Sequence, residues 1–366
     1  MHFTFTYIPH NIEKLQEFLD FLFFEVWLQA EGDFDAEKLV GHPELQQIYL
    51  DLGSIEGKWA EFFNASIENI YREFLLLEDD YKDFLRERYI NNNNIEGLCK
   101  NKALEPITYD EIAIDHPTLE EALKDFYSKL YGSTSPFNLK VFGFLNSNLI
   151  SDYDSQFMTA NSLGVCPFCA LNHLKGNNHS YREAYDHYIP KGLYPFNVLN
   201  FTNLAPMCHE CNSTYKLVKS PINQIDPLKN DADRALAFYP YDNQHPQLEF
   251  RVELKSSKIS DLKPEDVEVI ITAANGFEEE IETWKRVFGL EERYKATLCS
   301  PNDGKSWFNS VYEEFENATV LAGLRDPEAY YQIILKDAEK YPLSGNGFLK
   351  SQFLKECKKK GLFNLD

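Results

Sequence analysis

The chain has 366 residues, with 58 acids against 36 bases and a formal charge of −22. That balance excludes binding to nucleic acid or to an anionic membrane by bulk attraction, so any such contact has to come from a local site. Hydrophobic residues at 43% and aromatic residues at 14% exclude wholesale disorder, and the length suits two or more packed units.

Asn11 reads as the N-cap of a first helix, because Ile12, Leu15, Leu19, Leu22, Phe23, Val26 and Trp27 recur at helical spacing. A longer helix is expected over 57–89. Its stripe of Phe63, Ile67, Ile70, Phe74, Leu77, Tyr81 and Phe84 is read as the core of a helical domain, although such a seam also suits a partner helix. The asparagine run 91–94 reads as a turn, and Thr118 with Glu121 as a capping box for a helix ending near Gly132. Further on, Leu248, Phe250, Val252 and Leu254 alternate as in a half-buried strand, and 267–272 suits a second one. Helices are expected over 277–296, 304–322 and 327–340. The lysines at 350, 355, 358, 359 and 360 are read as a solvated helix end rather than a nucleic-acid contact.

Charge is unevenly spread. Residues 1–160 hold 29 acids and 12 bases, 161–230 hold 4 and 6, and 231–366 hold 25 and 18. The one stretch that is not acidic also contains four histidines and two Cys-x-x-Cys pairs. These shifts suggest an acidic helical domain over 1–150, a central unit over 151–240 and a mainly helical region over 241–366. The expected fold class is therefore α+β, mostly helical. The start, Met1-His2-Phe3-Thr4, shows no basic n-region, and Phe21 to Trp27 is too short to span a bilayer. A cytoplasmic protein off the membrane is expected.

Four of the seven cysteines form the pairs Cys166/Cys169 and Cys208/Cys211. Two such turns suit a tetrahedral structural Zn²⁺ site, whereas a single pair would equally suit redox chemistry. Cys99, Cys299 and Cys357 are read as ordinary packing residues, and His209 as exposed rather than a ligand. Between the pairs lie Asp186-His187, Pro190-Lys191 and Asn203-Leu204, and Asn212 follows the second pair. An imidazole can take a proton from water near neutral pH, and a carboxylate can hold a hard cation. Each residue alone has a plain structural reading: a core histidine, an Asx turn at Asn203, an N-cap at Asn212. Alternatively, Asn203 could accept a hydrogen bond from one imidazole nitrogen and leave the other free as base.

Taken together, Cys166, Cys169, Asp186, His187, Asn203, Cys208, Cys211 and Asn212 resemble the HNH endonuclease family of the zinc-knuckle ββα-metal type. The third signature position is Asn212 rather than His, which makes this a His-Asn-Asn variant. The resemblance covers about 60 residues and implies a central ββα-metal module flanked by helical regions. It implies catalytic His187 as base, Asn203 orienting it, and Asp186 with Asn212 holding Mg²⁺ or Mn²⁺ for DNA cleavage. Lys191, Lys216 and Arg182 are candidate phosphate contacts. Looser matches, at Ile225-Asp226-Pro227, Phe238-Tyr239-Pro240, Glu282-Thr283-Trp284 and 290–294, are similar to bacterial stand-alone members from anti-phage or restriction-type defence systems. Those often accompany an ATPase or sensor partner, for which the acidic N-terminal domain is the expected contact. Two alternatives stand beside this reading: a non-catalytic zinc-ribbon adaptor and an RNA-cleaving toxin.

Overall fold

The computed structural model describes residues 1–366 apart from 132–134, 139–141, 143–148, 162–163, 177, 181–182, 227–230, 275, 321–325 and 365–366. The fold is α+β and mostly helical. Among the described residues eight α-helices precede the first strand: α1 Lys14–Phe21, α2 Pro43–Gly53, α3 Lys58–Leu75, α4 Asp79–Asn93, α5 Ile95–Lys100, α6 Tyr109–Asp115, α7 Pro117–Lys129 and α8 Leu149–Ala160. Two-stranded antiparallel sheets follow: β1 Tyr185–His187 with β2 Leu204–Pro206, β3 Asn223–Asp226 with β4 Asp231–Arg234, and β5 Leu248–Leu254 with β6 Val267–Ala273. Helices α9 Glu278–Phe288, α10 Leu290–Cys299, α11 Gly304–Val320, α12 Pro327–Lys340 and α13 Gly347–Lys359 complete the chain. No helix among the described residues is long and apolar enough to cross a membrane.

The first apolar stripe is buried at all seven expected positions. The cap, however, is His10, whose side chain accepts from the Ile12 amide while Glu13 reaches back to the His10 amide. The expected 57–89 helix is two helices. Leu76 turns outward after α3, Glu78 precedes the first turn of α4, and Phe84 is 37% exposed, so the seam ends as a fully buried face at Leu77. Thr118 does not cap α7; its hydroxyl bonds Glu73 at 2.6 Å, and Gly132 lies outside the described residues. A capping box forms instead ten residues earlier, where Thr108 pairs with Glu111 at the start of α6.

The asparagine run is not a turn. Asn91, Asn92 and Asn93 end α4, and Asn94 caps α5 by accepting from the Gly97 amide. Asn92 is fully buried. Its Nδ2 donates to the carbonyls of Ile107 (2.9 Å) and Pro195 (3.0 Å), and its Oδ1 accepts from the Ile107 amide (2.9 Å). This amide therefore fastens the N-terminal helices to the loop between β1 and β2. Phe196, next along that loop, adopts a left-handed φ of 78° and is enclosed by Phe23, Tyr89 and Tyr127.

In the C-terminal region β5 and β6 pair in register from Leu248↔Ala273 to Leu254↔Val267. The expected 277–296 helix breaks at Gly289, whose φ is 60° and where a Cβ would collide with the Tyr215 ring. Lysines of the basic tail are tied to acids: Lys355 to Glu339, Lys358 to Glu328, and Lys359 to Glu356.

Replacing Asn92 with alanine leaves three buried backbone groups without their partner. Stability should fall by about 2–4 kcal/mol, read from the urea midpoint at unchanged slope. A fall below about 1 kcal/mol would show that this clamp is replaced by solvent at no cost.

Candidate functional site

The two cysteine pairs sit on facing turns. In the first, the amides of Cys169 and Ala170 both bond the Cys166 carbonyl, and Ala170 takes a left-handed φ of 53°. In the second, the Cys211 amide points at Cys208 Sγ (3.5 Å), and the Cys208 amide points across at Cys166 Sγ (3.5 Å). All four sulfurs are buried, are not joined as disulfides, and lie within 4.8 Å of one another. Cross-pair separations are 3.9 Å for Cys166–Cys211 and 3.8 Å for Cys169–Cys208. A tetrahedron with metal–sulfur bonds of about 2.3 Å has edges of about 3.8 Å, so this set could hold a metal such as zinc. Protons are unevenly shared among the thiols. Hydrogen bonds from Cys166 and its neighbours hold Cys169 below the ordinary thiol range and lower Cys208 to about 6, while burial pushes Cys166 up.

Asp186 and His187 lie on β1 opposite Ala205 and Leu204. Successive strand residues face opposite ways, and here they have different partners. His187 is buried; its Nε2 lies 2.8 Å from the Val198 carbonyl, and the Tyr131 ring packs edge-on against it with centroids 4.8 Å apart. A carbonyl only accepts, so Nε2 carries the proton and a neutral ring keeps its lone pair on Nδ1. Burial lowers the His187 pKa to about 3, so the ring is neutral at pH 7. Val198 is two residues past Phe196, so the carbonyl that orients the imidazole is anchored by the aromatic socket of the N-terminal helices.

Asn203 does not orient the imidazole. Its Oδ1 accepts from the Ile189 amide (2.7 Å) and its Nδ2 donates to the Ile189 carbonyl (2.9 Å). The side chain is fully buried and closes the hairpin just beyond β1, where the Tyr188 amide also bonds the Asn203 carbonyl. Its fixed role is backbone positioning.

Lys216 is not a surface phosphate contact. It is 1% exposed, and its Nζ lies 2.7 Å from Asp186 Oδ2 and 2.8 Å from the His187 carbonyl. Burial raises the Asp186 pKa against the opposing pull of this ammonium, and burial lowers that of Lys216. Asp186 and Asn212 supply hard oxygen donors of the kind Mg²⁺ prefers, but the carboxylate already faces a cation from the chain itself. Asn212 is the second residue of a single wide turn, Cys211–Lys216, closed by the Leu217 amide on the Asn212 carbonyl. Its half-buried side chain makes no hydrogen bond among the described residues. Lys191 is half-buried beside Tyr131, 5.4 Å from the ring centroid, and burial lowers its pKa. Arg182 lies outside the described residues. His209 is exposed, as expected.

The reading of the motif missed the orienting carbonyl of Val198, the Tyr131 contact, and Arg293, whose guanidinium lies 3.2 Å from Cys211 Sγ. Only the last had a signal, since 290–294 was among the stretches with a loose family likeness.

Purified protein should carry one zinc per chain by elemental analysis. Cys169→Ser and Cys208→Ser should each lower that content and cost several kcal/mol of stability, because the bound metal contributes folding free energy. Full zinc content in both variants would reject the tetrathiolate centre. Compared with family models, curated proteins and solved structures, the chain matches none.

Proposed function

We propose that the chain is an HNH endonuclease: a metal-dependent enzyme, with a ββα-metal nuclease domain over 151–240, that hydrolyses phosphodiester bonds of DNA. The observation that carries this reading is the state of His187. It is a neutral imidazole with Nε2 fixed on a backbone carbonyl, in a hairpin bracketed by two cysteine pairs.

In this reading His187 Nδ1 takes the proton of the attacking water, and the Val198 carbonyl stabilises the imidazolium that forms. Asn203 holds the Ile189 peptide so that β1 and the loop after it keep their geometry. Asp186 and Asn212 are the residues that would hold Mg²⁺ or Mn²⁺, a Lewis acid for the leaving oxygen. Lys191 is assigned to a substrate phosphate, at the edge of the Tyr131–His187 contact. The four cysteines hold Zn²⁺ and take no part in the chemistry. Likeness to bacterial stand-alone HNH proteins supports a cytoplasmic role in anti-phage or restriction-type defence. An ATPase or sensor subunit on the acidic surface of 1–150 is the partner we infer.

The Asp186–Lys216 pair favours a second reading, a zinc-binding adaptor in which an ammonium permanently replaces the divalent cation. Digestion separates the two. With Mg²⁺ or Mn²⁺ the protein should nick plasmid DNA, and His187→Ala should lose about 10²–10⁴-fold in rate with its zinc content and melting temperature retained. Cleavage at the parent rate would reject His187 as base, and inert parent protein on duplex DNA, single-stranded DNA and tRNA alike would leave the adaptor. Preference for tRNA would move the substrate class to RNA.

Lys216→Met strands a buried carboxylate and should cost about 3–5 kcal/mol. Mn²⁺ should then raise the melting temperature of this variant more than that of the parent, because the ion meets an unpaired Asp186. Equal shifts would show that Asp186 does not face the cation.

A further inference from the structure

The cysteine knuckles are enclosed by a helical hairpin that begins 67 residues beyond Cys211. Three side chains of α9 and α10 reach the two knuckles. Trp284 Nε1 donates to the Phe168 carbonyl at 2.8 Å, and the Tyr294 hydroxyl donates to the Cys169 carbonyl at 3.0 Å. Between them Arg293 directs Nη1 at Cys211 Sγ (3.2 Å) and also donates to the Phe288 carbonyl (3.3 Å). All three are nine-tenths buried or more. The guanidinium lies over the Tyr215 ring, 4.6 Å from its centroid, and Tyr215 belongs to the wide turn that starts at Cys211. Gly289, between α9 and α10, is the glycine whose Cβ would collide with that same ring. The hairpin and the second knuckle are thus fitted to each other at the backbone.

A buried arginine normally ends on a carboxylate, because an uncompensated charge in a core is costly. Arg293 ends on sulfur. No salt bridge to an acid is found for it among the described residues, and its neighbours are a thiol sulfur, a carbonyl and an aromatic face. A divalent ion on four thiolates leaves a net charge of two negatives inside an apolar shell. One guanidinium removes half of that charge and gives one sulfur an N–H donor.

We propose that Arg293 is a positioning and charge-compensating residue of the metal centre, and that metal loading and docking of the α9–α10 hairpin are one coupled event. Loss of the ion removes the tie between the two knuckles, and with it the fixed positions of the Cys211 sulfur and of the Phe168 and Cys169 carbonyls on which Arg293, Trp284 and Tyr294 end. The hairpin then detaches from the knuckles. This inference rests on the tetrathiolate centre and not on nuclease activity, and neither of its measurements involves cleavage.

Full-length zinc-loaded protein is the material for the test. Zinc release to a chromogenic chelator should be about 10–100-fold faster in Arg293→Met than in the parent, the range found when an outer hydrogen bond to a metal ligand is removed. Arg293→Lys, which keeps the charge but not the fork, should fall between them and serves if the methionine variant does not fold. In parallel, hydrogen exchange over 278–299 in the parent should quicken on metal removal together with 166–169 and 208–211. Trp284→Phe, which deletes only the bond to the Phe168 carbonyl, should loosen the hairpin and, because coupling is reciprocal, also speed zinc release, though less than Arg293→Met. Equal release rates for the parent and both arginine variants would overturn the role of Arg293. Unchanged protection of 278–299 in metal-free protein would overturn the coupling, and protein isolated without zinc would overturn the centre beneath both.

Discussion

Cys166, Cys169, Cys208 and Cys211 bring their sulfurs within 4.8 Å of one another, and both ends of the chain are tied to the backbone of the first pair. The extreme N-terminal stretch adds an amide, from His2 to the Pro167 carbonyl at 2.9 Å. The C-terminal hairpin adds Trp284 and Tyr294. Sulfur is a weak hydrogen-bond acceptor, and a cluster of four thiols gains little from hydrocarbon packing alone. Coordination of a soft cation would give such a cluster a large stabilising interaction, and it would fix the distance between the first knuckle, ahead of β1, and the turn that follows β2. The hairpin itself, with three residue pairs, is too short to be stable alone.

Electrostatics around the hairpin run against the rest of the molecule. The chain carries −22, yet the hairpin collects Lys191, Lys216 and Arg293 close to one carboxylate and the sulfurs. Two of those three cations are consumed internally, Lys216 by Asp186 and Arg293 by Cys211. Lys191 is left at the rim, over an aromatic ring that also touches the imidazole. A polyanion approaching this face meets a small local field set in a repelling surface, so ionic strength acts on two opposing terms at once.

Local chemistry was the part of this protein that could be read without coordinates. Asp326 and Pro327 mark the start of α12, and the alternation from Leu248 to Leu254 is the half-buried face of β5. The cysteine turns were equally legible, because two thiols on one turn are fixed by spacing alone. Failures arose where a side chain's partner comes from elsewhere. Four asparagines in a row resemble a turn by composition, but Asn92 is held in a helix by carbonyls at 107 and 195. Asn203 has the residue type expected for orienting a ring, but the backbone passing beside it belongs to Ile189. Lys216 looked like a free cation because nothing in its neighbourhood announces that Asp186, 30 residues earlier, folds back onto it. Arg293 is separated from Cys211 by 82 positions, beyond any periodicity.

Tyr294 bonds the Cys169 carbonyl and also meets His2, 292 positions away, at 2.8 Å. A ribosome exposes the thiols long before it exposes the residues that enclose them. At translation rates of about 5–20 residues per second, the interval between the second cysteine pair and the 290s lasts several seconds. Through that interval the two cysteine pairs lack the side chains of α9 and α10 that enclose them, and exposed thiols are open to oxidants and to soft metals. An ion that met the sulfurs within that interval would be enclosed when the chain is completed, so the order of synthesis would then set when this site is filled.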